Sequence, residues 1–274
     1  MTILGYCLWG GGKTSCGKGL QAFTLAEVLI TLGIIGVVAS MTLPTLIQNH
    51  QKSVALNRLK QTYSQIQNAV ELIAAEYDGG PMEHWSCPSN DPDTGINYTN
   101  ASLYQRCFYI AMKKIAVKMY PRPDDVSHAF CYEGREYRPY TAINGERGRW
   151  NTNGQLLHIN GYSAKLPNGA CVVWHPGTTA NDASGLLIID VDGSYSGYNR
   201  SGRDVYVFSY LRNGNNASLG KHGRSIFPGR TTGDTPKTRT QLLQGCNRGT
   251  GANGFECSAL IVNDSWQMKS DYPW

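Results

Sequence analysis

Phe23-Thr-Leu-Ala-Glu27-Val-Leu-Ile-Thr-Leu-Gly33-Ile-Ile-Gly36-Val-Val-Ala-Ser-Met-Thr-Leu-Pro44-Thr-Leu-Ile47 is the longest apolar run in the chain. From Val28 to Ile47 it holds twenty residues with no ionisable side chain, which as a helix cover about 30 Å, the thickness of a bilayer's hydrocarbon core. The run predicts one membrane-spanning helix. A single charge stands at its edge, and a carboxylate in a membrane helix costs on the order of 2.5 kcal/mol or more without a partner. Cutting the chain between Ala22 and Phe23 supplies that partner, because the new amino group would begin the same helix one turn from Glu27.

With Phe23-Thr-Leu-Ala-Glu27 leading into an apolar run, the segment resembles the type IV pilin and type II secretion pseudopilin family. The resemblance covers roughly residues 18 to 75. It implies that a prepilin peptidase cuts after Ala22 and methylates the amine of Phe23, leaving Glu27 as the fifth mature residue. It also implies that Glu27 neutralises the Phe23 amine of a neighbouring subunit during assembly, and that Pro44 is the helix-disturbing proline of that family. The residue before the cut is usually Gly in the family and is Ala22 here. Other pilin or pseudopilin subunits, an inner-membrane assembly platform and membrane lipid are the implied partners. The implied product is a subunit of a type IV pilus or a secretion pseudopilus, of which a minor or tip component is one form.

The 274 residues divide on this reading into a leader (1–22), a transmembrane and assembly helix (23–78) and an exported globular head (79–274). Lys13 and Lys18 are the charges of the leader, so its removal lowers the formal net charge of +5 by two. Both would stay on the cytoplasmic side, and the positive-inside rule then places the head outside the inner membrane, periplasmic or extracellular. Gly12-Lys13-Thr14 imitates the end of a phosphate-binding loop, but Cys7 stands where its first glycine is required. With 31 Gly, 12 Pro and 16% charged residues, the composition points to a loop-rich head containing β-structure.

Cys87, Cys107, Cys131, Cys171, Cys246 and Cys257 remain after the proposed cut. Their number is even and no C-x-x-C pair occurs, which favours disulfides in an exported head over a zinc ribbon or a thioredoxin-like site. Six cysteines allow fifteen pairings. Cys246 and Cys257 are the favoured pair, because a short spacer lets them close a C-terminal loop.

Beyond the membrane run, Gly33, Gly36 and Pro44 are expected to bend or loosen the helix, or to let it pack closely on others. From Gln51 the pattern turns amphipathic: Leu56, Leu59, Tyr63, Ile66, Val70 and Ile73 recur at three and four residues. This stripe is expected to pack on the chain's own sheet. Tyr104, Cys107, Phe108, Ala111, Ile115 and Met119 predict a second helix ending before Pro121. Strands are expected at Ala170–Trp174, Leu186–Val191 and Asp204–Leu211, with a final one at Ala259–Val262. Helix first and antiparallel strands after is an α+β order: a long pilin-like hydrophobic helix packed against an antiparallel head with disulfides.

Two parts of the head carry candidate sites. Asp190, Asp192 and Asp204 bracket a Gly-rich loop between two strands, where hard oxygen ligands suit Ca²⁺. The spacing is not that of an EF-hand, and Asp side chains binding their own backbone give a turn from the same residues. No other cofactor is implied. Residues 200 to 239 hold eight Lys and Arg against Asp204 and Asp234. Arg224, Arg230 and Arg239 there are candidate DNA contacts, with the nearby aromatics as stacking platforms, while a solvated basic loop is the plainer reading. DNA uptake or adhesion by a membrane-anchored basic head is therefore the alternative function. H-E-x-x-H and G-x-S-x-G are absent, and the six histidines do not cluster in sequence, so no enzyme is expected.

Overall fold

The computed structural model describes residues 23–77, 85–93, 95, 97, 103–120, 131, 140–146, 162–175, 184–193, 196–211, 226–229, 237–249 and 253–274. The chain forms two compact units, 1–50 and 51–274. Helix α1, Leu25–Glu76, contributes residues to both.

In the first unit α1 is apolar on every side and the side chains stay bare: Leu29 is 61% exposed and Ile35 62%. A helix apolar all round is what a bilayer or an oligomer core requires. α1 continues unbroken through Gly33, Gly36 and Pro44, so the expected loosening does not interrupt it. Proline removes one backbone donor. On the preceding turn the hydroxyls of Ser40 and Thr42 donate to the carbonyls of Val37 and Val38, at 2.7 and 3.0 Å.

In the second unit the same helix becomes amphipathic, and Leu59, Ile66, Val70 and Ile73 are fully buried. They join one core with helix α2, Leu103–Ile115, and one face of a six-stranded antiparallel sheet. The sheet is a meander in chain order: β1 Lys118–Tyr120, β2 Tyr162–Lys165, β3 Cys171–His175, β4 Ser184–Asp190, β5 Val205–Leu211 and β6 Ile226–Pro228. Alternation decides which residues face α1. Tyr162, Trp174, Leu187 and Phe208 stand opposite one another across four strands, and Ala164, Val172, Ile189 and Tyr206 make a second such row. All eight are buried in that core. Tyr63 stacks on Phe208 at 5.3 Å. The opposite face carries a second core of Tyr120, Tyr140, Val173, Ile188, Val205, Val207 and Phe255.

Two expectations fail locally. Met119, expected to extend α2, lies in β1 and pairs with Ala164 of β2. Ala259–Val262, expected as a strand, lies in helix α4, Cys257–Asn263. There Leu260 and Ile261 are buried while Ser258 Oγ, also buried, donates to the carbonyl of Val207 and accepts from Gly229 N at 2.7 Å. A short apolar run fits either element, and as a helix it carries Ser258 against Val207 of β5 and Gly229 just after β6. Before α4, helix α3, Arg239–Gly245, starts at a Thr238–Gln241 capping box.

Among the described residues three disulfides join Cys87 to Cys107, Cys131 to Cys171, and Cys246 to Cys257. The pair expected from its short spacer ties α3 to α4. Cys131–Cys171 closes the longest loop, 40 residues, and ties residue 131 to the start of β3. In the chain-entropy view the longer loop restricts the unfolded chain more.

Candidate functional site

At the start of α1 the chain builds a cap from side chains already at hand. Glu27 Oε2 accepts from the Thr24 backbone N–H at 2.8 Å and from its hydroxyl at 2.9 Å, while Thr24 Oγ1 accepts from Glu27 N–H at 3.2 Å. This is a capping box, Thr at the N-cap and Glu three residues on, and it satisfies donors that a helix start leaves open. Thr24 is thus a partner for Glu27 beside the Phe23 amine expected from the sequence. These hydrogen bonds supply donors to the carboxylate but leave its net charge in place, so a cation remains an electrostatic complement. Ala22 lies outside the described residues. Phe23 is 84% exposed, and no added Cβ at Gly33 or Gly36 would meet an atom within 4 Å, so both glycines present smooth, open helix surface. Among the described residues α1 is the one helix long and apolar enough to cross a membrane.

In the loop joining β4 to β5, Asp190 and Asp204 act as turn builders. Asp190 accepts from the Tyr140 hydroxyl at 2.7 Å and from Gly193 N at 2.9 Å. Asp204 accepts from the successive backbone amides of Tyr198, Asn199 and Arg200, the last two at 2.9 and 2.6 Å. Gly197 sits against this bundle at φ +65°, and a Cβ there would lie 2.3 Å from Asp192 Oδ2 and 2.6 Å from Asp204 Oδ2. Burial first, and then the Asp192 charge, raises Asp204 to about 6 against the lowering by its amides. Burial, with repulsion from Asp204 and Asp192, pushes Asp190 well above the usual carboxylate range. Among the described residues no set of three or more His, Cys, Asp or Glu is placed to hold a metal ion. Much of the oxygen set read as a calcium site is turned onto backbone amides.

The basic segment disperses. Arg224 and Arg230 lie outside the described residues. Arg239 bonds Asp264 through two nitrogens, both at 2.7 Å, and reaches Asp271 through two more contacts at 2.8 Å. Lys269 completes the network on Asp264 at 2.8 Å. Arg239, then burial opposing it, sets Asp264 at about 2. This arginine holds the C-terminal segment on α3 and α4, a use the sequence pattern did not suggest.

Arg200 and Arg203 stand elsewhere. The Arg203 guanidinium lies 3.5 Å from the centre of the Tyr198 ring and 5.1 Å from that of Trp274, and donates to Gln51 Oε1 at 3.3 Å. Arg200 Cζ is 6.0 Å from the same Tyr198 ring. Tyr272 donates from its hydroxyl to the Gly202 carbonyl at 2.5 Å, holding the chain's last residues on this loop.

Comparison with known proteins bears on part of the chain. The family described as "Family of unknown function (DUF6613)" matches residues 45–134. No solved structure matches. The chain is similar, at 36% identity over 59 residues, to the Prepilin peptidase-dependent protein D of Escherichia coli (strain K12); that likeness takes in 22% of this chain and 40% of the relative's length.

Proposed function

We propose that the chain is the precursor of a pilin-like or pseudopilin-like structural subunit. It is inserted once in the bacterial inner membrane with the head outside, cut after Ala22 by a prepilin peptidase, and methylated at Phe23. An assembly platform then draws it, with other such subunits, into a type IV pilus or a type II secretion pseudopilus. The observation that carries this reading is the bare half of α1: a capped helix, apolar on every side, whose one carboxylate stands five residues after Ala22. A surface of that kind is stable in a bilayer or among copies of itself, and Glu27 gives the second setting something the first lacks. A neighbour's Phe23 amine cancels the charge that Thr24 only solvates. The likeness to a prepilin peptidase-dependent protein supports the same reading.

Mass spectrometry of the N terminus, in cells with and without an active prepilin peptidase, tests it. The expected product begins with a methylated Phe23 only when the peptidase is active. An intact leader in both strains would refute it.

A further inference from the structure

Beyond the α1 surface, the head carries a small group of cations unmatched by carboxylates. Among the described residues neither Arg200 nor Arg203 makes an ion pair, and Arg200 Nε, itself buried, has no hydrogen-bond partner. The nearest acid in sequence, Asp204, spends its carboxylate on three backbone amides. Tyr198, 50% exposed, has its ring centre 6.0 Å from Arg200 Cζ and 3.5 Å from Arg203 Cζ, and the Trp274 ring centre is 5.1 Å from Arg203 Cζ. Contact with both rings, and the bond to Gln51, restrict the Arg203 guanidinium. A planar guanidinium so held is suited to bidentate contact with phosphate.

Tethering says which phosphate. Arg203 is bonded to Gln51, and Gln51 follows the end of the apolar run at Ile47 by four residues, at most about 14 Å of chain however it is directed. Once residues 28–47 span a bilayer, this cluster cannot leave the neighbourhood of the headgroups. Tyr and Trp favour that layer, where an apolar ring and a polar edge are both accommodated. Duplex DNA needs more: proteins that grip it commonly meet 6–10 phosphates, and two arginines supply about two.

We propose that Arg200, Arg203, Tyr198 and Trp274 form a docking site for the phosphate of an anionic phospholipid, by which the head rests on the membrane before assembly. This rests on the membrane-spanning reading of residues 28–47. Each arginine contributes on the order of fivefold to occupancy of an anionic surface. Extraction into a filament must then break the contact.

The full chain, reconstituted in phosphatidylcholine vesicles with or without phosphatidylglycerol, tests this by hydroxyl-radical footprinting. Met41, 74% exposed in the bare chain, reports the span, and Tyr198 reports the dock. Shielding of Met41 in both vesicles, with Tyr198 oxidised several-fold less when phosphatidylglycerol is present, is the expected result. The Arg200→Gln/Arg203→Gln double variant should lose the difference, and Arg203→Lys, which keeps the charge and loses the fork, should retain part of it. If Met41 is shielded but Tyr198 ignores phosphatidylglycerol, the docking proposal is overturned and the span stands. If Met41 is oxidised in both, the span fails and the proposal with it. If added duplex DNA shields Tyr198 and phosphatidylglycerol does not, the cluster is a nucleic-acid contact and the proposal is overturned.

Discussion

The two halves of α1 are built from similar side chains and end in opposite environments. Ile35 is 62% exposed and Ile73 is fully buried, although both are isoleucines in one continuous helix. What separates them is periodicity. After Gln51 the apolar residues recur along one stripe, which a sheet face can cover, whereas before it they point every way and a single sheet could cover only part of them. Hydrophobicity alone says that a helix will be buried; its distribution around the axis says whether the chain buries it itself or needs a bilayer or other copies.

The sharpest way to break this comparison is to truncate both residues. Ile73→Ala should destabilise the head by about 2–5 kcal/mol, since it removes atoms from a filled core. Ile35→Ala should leave head unfolding unchanged within about 0.5 kcal/mol. Circular dichroism melts of the two variants in detergent would show it. Equal shifts would mean that the first half of α1 also supports the head.

A second contrast lies within the head, between the regular sheet and the loop from Asp190 to Asp204. Gly197→Ala should cost about 2–4 kcal/mol, because it combines a left-handed backbone with a methyl driven into two carboxylates. A substitution at Gly95, also left-handed but with nothing within 4 Å, should cost only the backbone part, about 1–2 kcal/mol. Urea denaturation of both measures the difference. Matching losses would show that the carboxylates yield to an added methyl.

The same loop should respond to pH in the opposite sense from the C-terminal clamp. Asp204 is raised to about 6 in the folded chain, so the native state binds its proton more tightly than the unfolded one. Stability contributed here is present below pH 4, falls as pH rises toward 6, and is flat above; the full swing is on the order of 2–3 kcal/mol. Asp264 is lowered to about 2, so its contribution is present above about pH 4 and is lost as pH falls toward 2. Asp204→Asn should lessen the fall between pH 4 and 6, leaving the part that the raised Asp190 contributes, without touching the acid limb. An unchanged profile in that variant would leave the loop carboxylates out of the pH response.

Much of this was legible where a pattern repeats. The buried stripe of α1 and strands β3, β4 and β5 follow from spacing, as does the α+β order, and the Cys246–Cys257 pair follows from its short spacer. Short elements were not legible. β1 and β6 are three residues each, too brief for an alternation to show. The run Ala259–Val262 is helical, and the bonds of Ser258 beside it reach β5 and Gly229, 51 and 29 residues away, where no local pattern shows them. Arg239 looked like part of a basic patch because Asp264 and Asp271 are distant in sequence. Thr238-x-x-Gln241 and Thr24-x-x-Glu27 are different: both capping boxes can be read from the residues alone, and Glu27 was read only as a charge.

Glu27 therefore sets the last and, for the head, the smallest effect. Glu27→Gln keeps an acceptor for Thr24 and removes the charge, whereas Glu27→Val removes both. Neither residue touches the head's core, so both variants should melt with the parent head. Insertion should be undiminished or improved in each, because removing a carboxylate lowers the cost of entering a bilayer. Assembly divides the possibilities. If Glu27 serves only to cap α1, the glutamine variant should co-purify with other subunits like the parent and the valine variant less well, the cap being worth about 0.5–2 kcal/mol. If it cancels the amine of a neighbouring Phe23, both should fail to co-purify, since glutamine cannot pair with a buried cation. We expect both to fail; normal incorporation of the glutamine variant would reduce Glu27 to a helix cap.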